Sequence, residues 1–594
     1  MRDFEPKHVS WRIYAIFAGI MAAYLVLGAR LSYLQVQHGE QYKAWAQGLK
    51  GFSVDGSDEA RGQIMFRGGE PLAINKKFVF AYASPPDIKD VKKTADAVAA
   101  ILSLDPADVF KKISKDTLYV PLKDKLGDSE AAALTQANLP GIYTRDKKMR
   151  YYPQGNLASQ VVGFVDDNGD GQYGLESYYN DQLSGGKDLV LNLDYQLQYQ
   201  AETILADYVK RLNAREGEAI VVDPKTGAIY AMAQVPNFDP NNYQTTAADS
   251  KTAGDLKNNS CQQLFEPGSV FKALTMAGAL NDGKVTPDTT YVDTGTVKVG
   301  SSTIYNFAKR SYGLQSMTGV LEKSINTGAV YAENKLGNQA FLDYIDKFGV
   351  NEATGIDLPE TYSPNAEFKK GYAINFDTAA FGQGLWMTSV QLLRAYSAIA
   401  NGGTLIQPSI VADGRINGQP DQPRVITQET SQTLAKMLQS VVDNGFGKPA
   451  RVAGYTVCGK TGTAQMSWST LNINKRGYSD ATTQSFVGWF PALDPKFMIF
   501  IKLINPQAST AEYSAIPVFH DLAQYTAYLY QVPPDRPVNQ PIQIVNSAAQ
   551  TQSATTTTAA TTQHTTAQSA AAQPAAPTRS QPISTPALKP LKNL

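Results

Sequence analysis

One uncharged run close to the first residue, Ile13–Ala29 (IYAIFAGIMAAYLVLGA), restricts the topology of this chain more than any other stretch. A bilayer core excludes charge, and a run of this length is at the short end of what spans it. Continuing past Arg30 through Leu31–Val36, with Arg30 snorkelling, gives a sufficient span over 13–36. Trp11, Tyr14 and Tyr33 flank the run as interfacial aromatics do. Arg30-Leu31 follows the run where a small-x-small cleavage site would stand, so an uncleaved anchor is expected rather than a signal peptide. Arg2, Lys7 and Arg12 precede it, which predicts a cytoplasmic tail over 1–12 and a body on the far side of the membrane. No later run is apolar for long enough to span.

The chain has 594 residues, enough for two or more domains with full cores. Lys+Arg and Asp+Glu both total 54, so no global field recommends nucleic acid as a partner. Of the 4 His, only His520 can belong to the main body, which argues against a His-based metal site and leaves a Ser-His-Asp triad one candidate base. The two Cys, Cys261 and Cys458, form no disulfide framework and are expected as buried free thiols.

Residues 37–190 mix short strand-like runs, such as Phe78–Ala83, with polar turns and a short amphipathic helix over Thr94–Leu102. Within them, Asp166-Asp167-Asn168-Gly169-Asp170-Gly171 imitates the start of a calcium loop. Position twelve holds Ser177, with Glu176 one short, so an Asx/Gly turn is expected instead. From 191 to 531 the pattern is that of an α/β or α+β body. Asp194 is placed to cap a helix, and EAIVVDPKTGAIYAMAQ reads as two buried strands around a turn. Helices are expected around Val270–Asn281, Ser316–Lys335 and Ser389–Ala400, and core strands at SFVGWF and FMIFIKLI. Residues 532–594 are rich in Thr, Ala, Gln, Ser and Pro, a composition that cannot bury a core.

The stretch GYTVCGKTG (454–462) fits two patterns: the phosphate-cradling G-x-x-x-x-G-K-[ST] and the K-[ST]-G of serine acyl-transfer enzymes. A phosphate cradle needs a flexible loop and a helix opening at the lysine. Tyr455–Cys458 is β-prone and Gly462-Thr463 is a poor helix start, so the acyl-transfer reading is favoured. That reading demands Ser-x-x-Lys and Ser-x-Asn upstream, and each motif occurs twice. Ser184-Gly185-Gly186-Lys187 has glycines where a helix must hold Ser and Lys on one face. Ser269-Val270-Phe271-Lys272 follows Pro267-Gly268 and opens a good helix, which puts Lys272 within reach of Ser269. Ser363-Pro364-Asn365 lies in a turn, whereas Ser324-Ile325-Asn326 follows a helical stretch. Lys225-Thr226-Gly227 sits in a hairpin turn ahead of the serine. Only Ser269/Lys272, Ser324/Asn326 and Lys460/Thr461/Gly462, extended by Thr463, have the right order and local structure.

Beyond these motifs the chain resembles a class B penicillin-binding protein, the membrane-anchored peptidoglycan D,D-transpeptidase, over roughly residues 11 to 530. FEPGSVFK, GEAIVVDPKTGAIYAMAQVPNFDPNNY, TGIDLP, FGQGLWMTSVQLLRAYSAIANGG and SFVGWFPALDPK carry the resemblance. RGQIMFRGGEPLAIN is similar to the family's RG-x-I-x-DRNG-x-PLA box but has Phe66 and Gly68 where Asp and Asn are usual. KSINTGAVYAENKLG and FEPGS look more like the division-type, FtsI-like group. The resemblance implies an α/β penicillin-binding transpeptidase fold, related to serine β-lactamases, with a mixed antiparallel sheet and helices. A single transmembrane helix and an elongated α+β pedestal or dimerisation domain would precede it.

The resemblance also implies roles. Ser269 attacks the penultimate D-Ala carbonyl of a pentapeptide stem, and Lys272 takes its proton. Ser324 relays protons, and Asn326 bonds the donor peptide. Lys460, Thr461 and Thr463 receive the terminal carboxylate, with Gly462 between them; the backbone N–H groups of Ser269 and Thr463 form the oxyanion hole. No cofactor or metal is implied. Implied partners are peptidoglycan stems, β-lactams, a SEDS-type (FtsW-like) membrane glycosyltransferase and other divisome proteins. The implied location is the bacterial cytoplasmic (inner) membrane, single-pass, with the catalytic domain outside. An elongation-type enzyme, a D,D-carboxypeptidase or β-lactamase using water, and a non-catalytic penicillin sensor remain as alternatives.

Overall fold

The computed structural model describes residues 10–32, 61–412, 422–471 and 473–537. Most of the expected cytoplasmic tail, residues 33–36 of the expected span and most of the low-complexity tail lie outside the described residues. Ser10–Ser32 is a helix. Its described apolar side chains, among them Phe17, Ile20, Leu25 and Val26, are exposed. Among the described residues no helix is long and apolar enough to cross a membrane.

Strands β1 (Ile64–Met65), β2 (Pro71–Ala83), β3 (Val120–Leu126), β4 (Ile142–Tyr151) and β7 (Leu189–Val190) form the first sheet, built on the long β2. Helices Val91–Leu102, Pro106–Ile113 and Asp128–Ala137 cover part of one face through Val98, Leu102, Val109, Ile113, Leu122 and Leu126. Asp90 and Asp105 accept backbone N–H groups of the first two helices, and Pro106 sits where its missing N–H costs nothing. Strands β5 (Phe164–Val165) and β6 (Gly171–Gln172) flank the calcium-loop look-alike. Asp166 Oδ1 accepts the N–H groups of Asn168 (2.9 Å) and Asp170 (3.0 Å), and Oδ2 accepts Gln172 Nε2 (3.1 Å). The carboxylate therefore serves its own turn. Glu176, fully buried, receives Arg61 at 2.7 Å and Arg150 at 2.6 Å.

Asp194 caps the helix Tyr195–Arg211, which leads into a five-stranded antiparallel sheet. Its order is β14 (Cys458–Ser467), β15 (Tyr478–Phe490), β16 (Phe497–Ile504), β8 (Glu216–Val222), β9 (Ile229–Val235). Alternate residues of β16 face opposite cores. Ile499 and Ile501 pack under Tyr195–Arg211 and the last helix, Ala515–Leu529. Met498 and Phe500 join the core shared with helices Lys272–Asn281, Ser389–Ala400 and Gln428–Asp443. Burial on both faces explains why FMIFIKLI shows no alternation. Its one cation, Lys502, is paired with Glu218 at 2.6 Å. The DPKTG turn joins β8 to β9, and its Lys225 pairs with Asp494. Cys261 and Cys458 are buried free thiols.

One helix differs from expectation. Ser316–Lys335 is not continuous: helix Met317–Glu322 ends, and a second begins at Asn326 and runs to Leu336. Between them Ser324 takes φ +52°, a left-handed conformation that interrupts the helical ladder. Ahead of these, β10 (Thr290–Asp293) pairs with β13 (Gly313–Ser316), and β11 (Thr296–Val299) with β12 (Ser302–Tyr305).

Candidate active site

Ser269 does not open an α-helix directly. Gly268–Phe271 is a 3₁₀ turn, and the α-helix proper starts at Lys272. The turn opens at Gly268, at φ +61°. In a 3₁₀ turn, residues i and i+3 eclipse, so Ser269 and Lys272 still share a face. The turn is clamped between two neighbours. A Cβ on Gly268 would stand 2.8 Å from Ala464 Cβ on β14, and one on Gly382 would overlap Gly268 O. Gly268 N donates to Gly382 O at 2.9 Å. From the helix side, Tyr396 Oη donates to Val270 O at 2.5 Å.

Strand β14 is the edge of its sheet, and it carries Lys460, Thr461, Gly462 and Thr463. A side chain on Gly462 would meet Ser485 Oγ, and Val270 at 3.1 Å; only glycine lets this edge approach the nucleophile turn so closely. A strand over these residues, not a loop opening a helix, also removes the phosphate-cradle reading.

Two lysines converge on one hydroxyl. Lys272 Nζ lies 3.2 Å from Ser324 Oγ, and Lys460 Nζ lies 3.0 Å from it. Lys272 also donates to Ser324 O (2.6 Å) and Asn326 Oδ1 (2.7 Å). The left-handed turn at Ser324 presents both its carbonyl and its hydroxyl to the lysine. Lys460 donates further to Thr461 O (3.1 Å) and Thr461 Oγ1 (3.3 Å). Thr463 Oγ1 accepts Ala511 N at 3.2 Å. Each threonine thus keeps its own O–H as a donor for an anion.

Both lysines are almost completely buried. Burial, and then the charge of Lys460, hold Lys272 well below the usual lysine range. Burial lowers Lys460 to about 7. The site therefore offers two buried amines whose charged forms are disfavoured, Lys272 lying three residues along the chain from Ser269, with the Ser324 hydroxyl bridging Lys272 to Lys460. That is the equipment of a serine nucleophile with a lysine base.

The decoys are elsewhere engaged. Ser184 Oγ accepts Arg61 Nη1 at 2.9 Å, and Ser363 Oγ accepts Asn365 N at 3.2 Å within its own turn. His520 faces Asp521 on the last helix at 3.0 Å. Sequence reasoning missed Glu266, which accepts Gly384 N (2.6 Å) and Tyr478 Oη (2.9 Å) just before the nucleophile turn. It also missed Tyr305, whose carbonyl accepts Asn326 Nδ2 at 2.9 Å. FEPGSVFK, which contains Glu266, and FGQG, both quoted above as family-like, were the signals for the first contact; a backbone carbonyl leaves none for the second.

A family model for the penicillin-binding protein transpeptidase domain matches residues 217–524, and one for the penicillin-binding protein dimerisation domain matches 57–192. Penicillin-binding protein PbpB of Mycobacterium tuberculosis is 30% identical over 586 residues, covering 87% of this chain and 84% of that protein. Stage V sporulation protein D of Bacillus subtilis is 29% identical over 540 residues, covering 84% and 82%. Peptidoglycan D,D-transpeptidase FtsI of Escherichia coli is 26% identical over 557 residues, covering 87% and 92%. The crystal structure of penicillin-binding protein 3 from Mycobacterium tuberculosis complexed with aztreonam is similar with a TM-score of 0.62 and 27% identity, over 81% of this chain and 98% of that one. With both domain models matched in order, and a lysine-flanked serine at the joint of helix and edge strand, the chain belongs to the penicillin-binding protein transpeptidase family, in its class B.

Proposed function

We propose that Ser269 is the acyl-enzyme nucleophile of this class B peptidoglycan D,D-transpeptidase, that it works in septal cell-wall synthesis, and that β-lactams inactivate it. The observation that carries the mechanism is the Ser324 hydroxyl held between Lys272 and Lys460. Neutral Lys272 takes the Ser269 proton as Oγ bonds to the penultimate D-Ala carbonyl carbon. The carbonyl electrons move onto oxygen, facing the N–H groups of Ser269 and Thr463. The C–N bond then breaks, and the proton passes from Lys272 through Ser324 to the departing D-Ala nitrogen. An amine of a neighbouring stem attacks the ester, gives up its proton along the same path, and Ser269 regains its hydrogen. Lys460, Thr461 and Thr463 hold the terminal carboxylate, and Asn326 bonds the donor peptide.

The septal assignment draws on the FtsI-like stretches of the sequence and on FtsI of Escherichia coli as a relative. A SEDS-type glycosyltransferase, supplying glycan strands in the same membrane, is the partner this role requires. The exposed apolar side chains of the Ser10–Ser32 helix support an anchor in the cytoplasmic membrane with the body outside.

Fluorescent penicillin tests the nucleophile. Wild type and Ser184→Ala should label equally, Ser269→Ala not at all, and Lys272→Ala only weakly. Lys460→Ala should label slowly and Lys225→Ala nearly normally. Drug mapped to Ser184, or a Ser269→Ala chain that still labels, would refute the assignment. Lipid-linked substrate then separates cross-linking from simple D-Ala release.

A further inference from the structure

We propose that Asp293, acting through Thr327 and Asn306, is a positioning residue for the reaction: it fixes the loop that presents the Asn326 amide to Lys272. This inference rests on the assignment of Ser269 and Lys272 above.

Asp293 lies at the end of β10 and is 2% exposed. Its Oδ1 accepts Thr327 Oγ1 (2.6 Å), Gly295 N (3.0 Å) and Asn306 Nδ2 (3.0 Å). Its Oδ2 accepts Tyr312 N (2.7 Å) and the same Asn306 Nδ2 (3.0 Å). Burial acts to raise its pKa, but the hydrogen bonds from Thr327, Gly295, Tyr312 and Asn306 outweigh it, and the carboxyl sits below its usual range. A buried carboxylate bonded to this many donors is a fixed negative post.

That post stands beside the start of the helix Asn326–Leu336. The residue at its N-cap, Ile325, makes no side-chain cap, so the first N–H groups need other partners. Asn306 Oδ1 supplies one, accepting Thr327 N at 3.1 Å. Tyr305 O, one residue earlier, accepts Asn326 Nδ2 at 2.9 Å. The amide of Asn326 is thereby held one way round, with Oδ1 toward Lys272 Nζ at 2.7 Å. Turned over, it would aim two N–H donors at the amine. Asp293 anchors Thr327 directly and Asn306 directly; both flank the residue whose orientation matters.

The groups facing Lys272 are Ser324 and Asn326 from the loop, with the charge of Lys460 acting from β14. Asn326 Oδ1 favours the ammonium form of Lys272. Losing that acceptor lowers the Lys272 pKa, so the acid limb of acylation should move to lower pH.

The test is rapid-quench acylation of the full chain by fluorescent penicillin, with active enzyme counted by burst titration. Asp293→Asn turns a carboxamide N–H toward existing donors. The saturating acylation rate should fall on the order of 10- to 100-fold, as a misplaced group costs, and the acid limb should shift down. Added to Asn326→Ala, the same change should cost no more than about threefold, because its target is already gone. A merely structural residue would give losses that multiply and an unmoved limb, and either result would overturn the proposal. Should Asp293→Asn fail to accumulate, Thr327→Val, which removes one donor to Asp293 and the hydroxyl contact with Tyr291, decides by the same criteria, with Tyr291→Phe as its control. A Ser269→Ala chain that still labels would refute the underlying site, not this coupling.

Discussion

The mechanism proposed above needs Lys272 and Lys460 in opposite protonation states. Burial penalises the charged form of each, so both pKa values go down, and Lys460 repels a proton on Lys272 as well. Lys272 must be neutral to accept the serine proton, whereas Lys460 must be charged to hold a carboxylate. Acylation efficiency toward a carboxylate-bearing β-lactam should therefore rise as Lys272 loses its proton and fall above about pH 7 as Lys460 loses its own. The two limbs belong to the interacting pair rather than to single residues. Lys460→Ala should abolish the alkaline limb. It should also move the acid limb upward, since it removes one cause of the Lys272 depression. Measuring kcat/KM for acylation against pH checks both, and an acid limb that stays in place or moves down contradicts the coupling.

At the scale of elements, the site is a seam between the edge strand β14 and the Gly268–Phe271 turn, and glycines keep the seam closed. A methyl on Gly462 would meet Ser485 Oγ and press on Val270, side chains of two buried residues. Gly462→Ala should therefore push β14 off the turn, cost about 1–3 kcal/mol of stability and slow acylation on the order of 100-fold. Gly254→Ala, with nothing near its added carbon, is the matched control and should change neither. Melting temperature and penicillin labelling rate read the two effects, and a Gly462→Ala enzyme that labels at the normal rate contradicts the seam. The seam also shows what was legible beforehand. The convergence of Lys272, Ser324, Asn326 and Lys460 was legible because each belongs to a motif carried by residue type at short spacing. The left-handed Ser324 was not, since the helical pattern of Ser316–Lys335 runs straight through it and the lysines its hydroxyl meets are far away in sequence. Asp293 was invisible for a related reason: its partners Asn306 and Thr327 are 13 and 34 positions away, joined by hairpins rather than by a motif.

Across the whole molecule, the folded body and the Ser10–Ser32 helix differ in what they bury. Within residues 61–190, Arg61 and Arg150 arrive from distant parts of the chain on one fully buried carboxylate, Glu176. Such a group specifies its partners strongly, because removing either cation leaves an uncompensated buried charge. The Ser10–Ser32 helix has the opposite character. Phe17, Ile20, Met21, Leu25, Val26 and Leu27 are all exposed on it, and exposure of that many apolar side chains to water is unfavourable by about 1.5–3 kcal/mol each. A lipid environment would remove that cost, and under the proposed anchor the Lys and Arg residues ahead of the run would set its direction. The full chain should therefore sediment with membranes and resist extraction by salt, while a chain beginning at Gly39 should remain in the supernatant and still bind penicillin at Ser269. Protease added outside spheroplasts should digest the body of the full chain. A body protected from that protease would reverse the orientation, and a full chain that salt alone releases would remove the anchor.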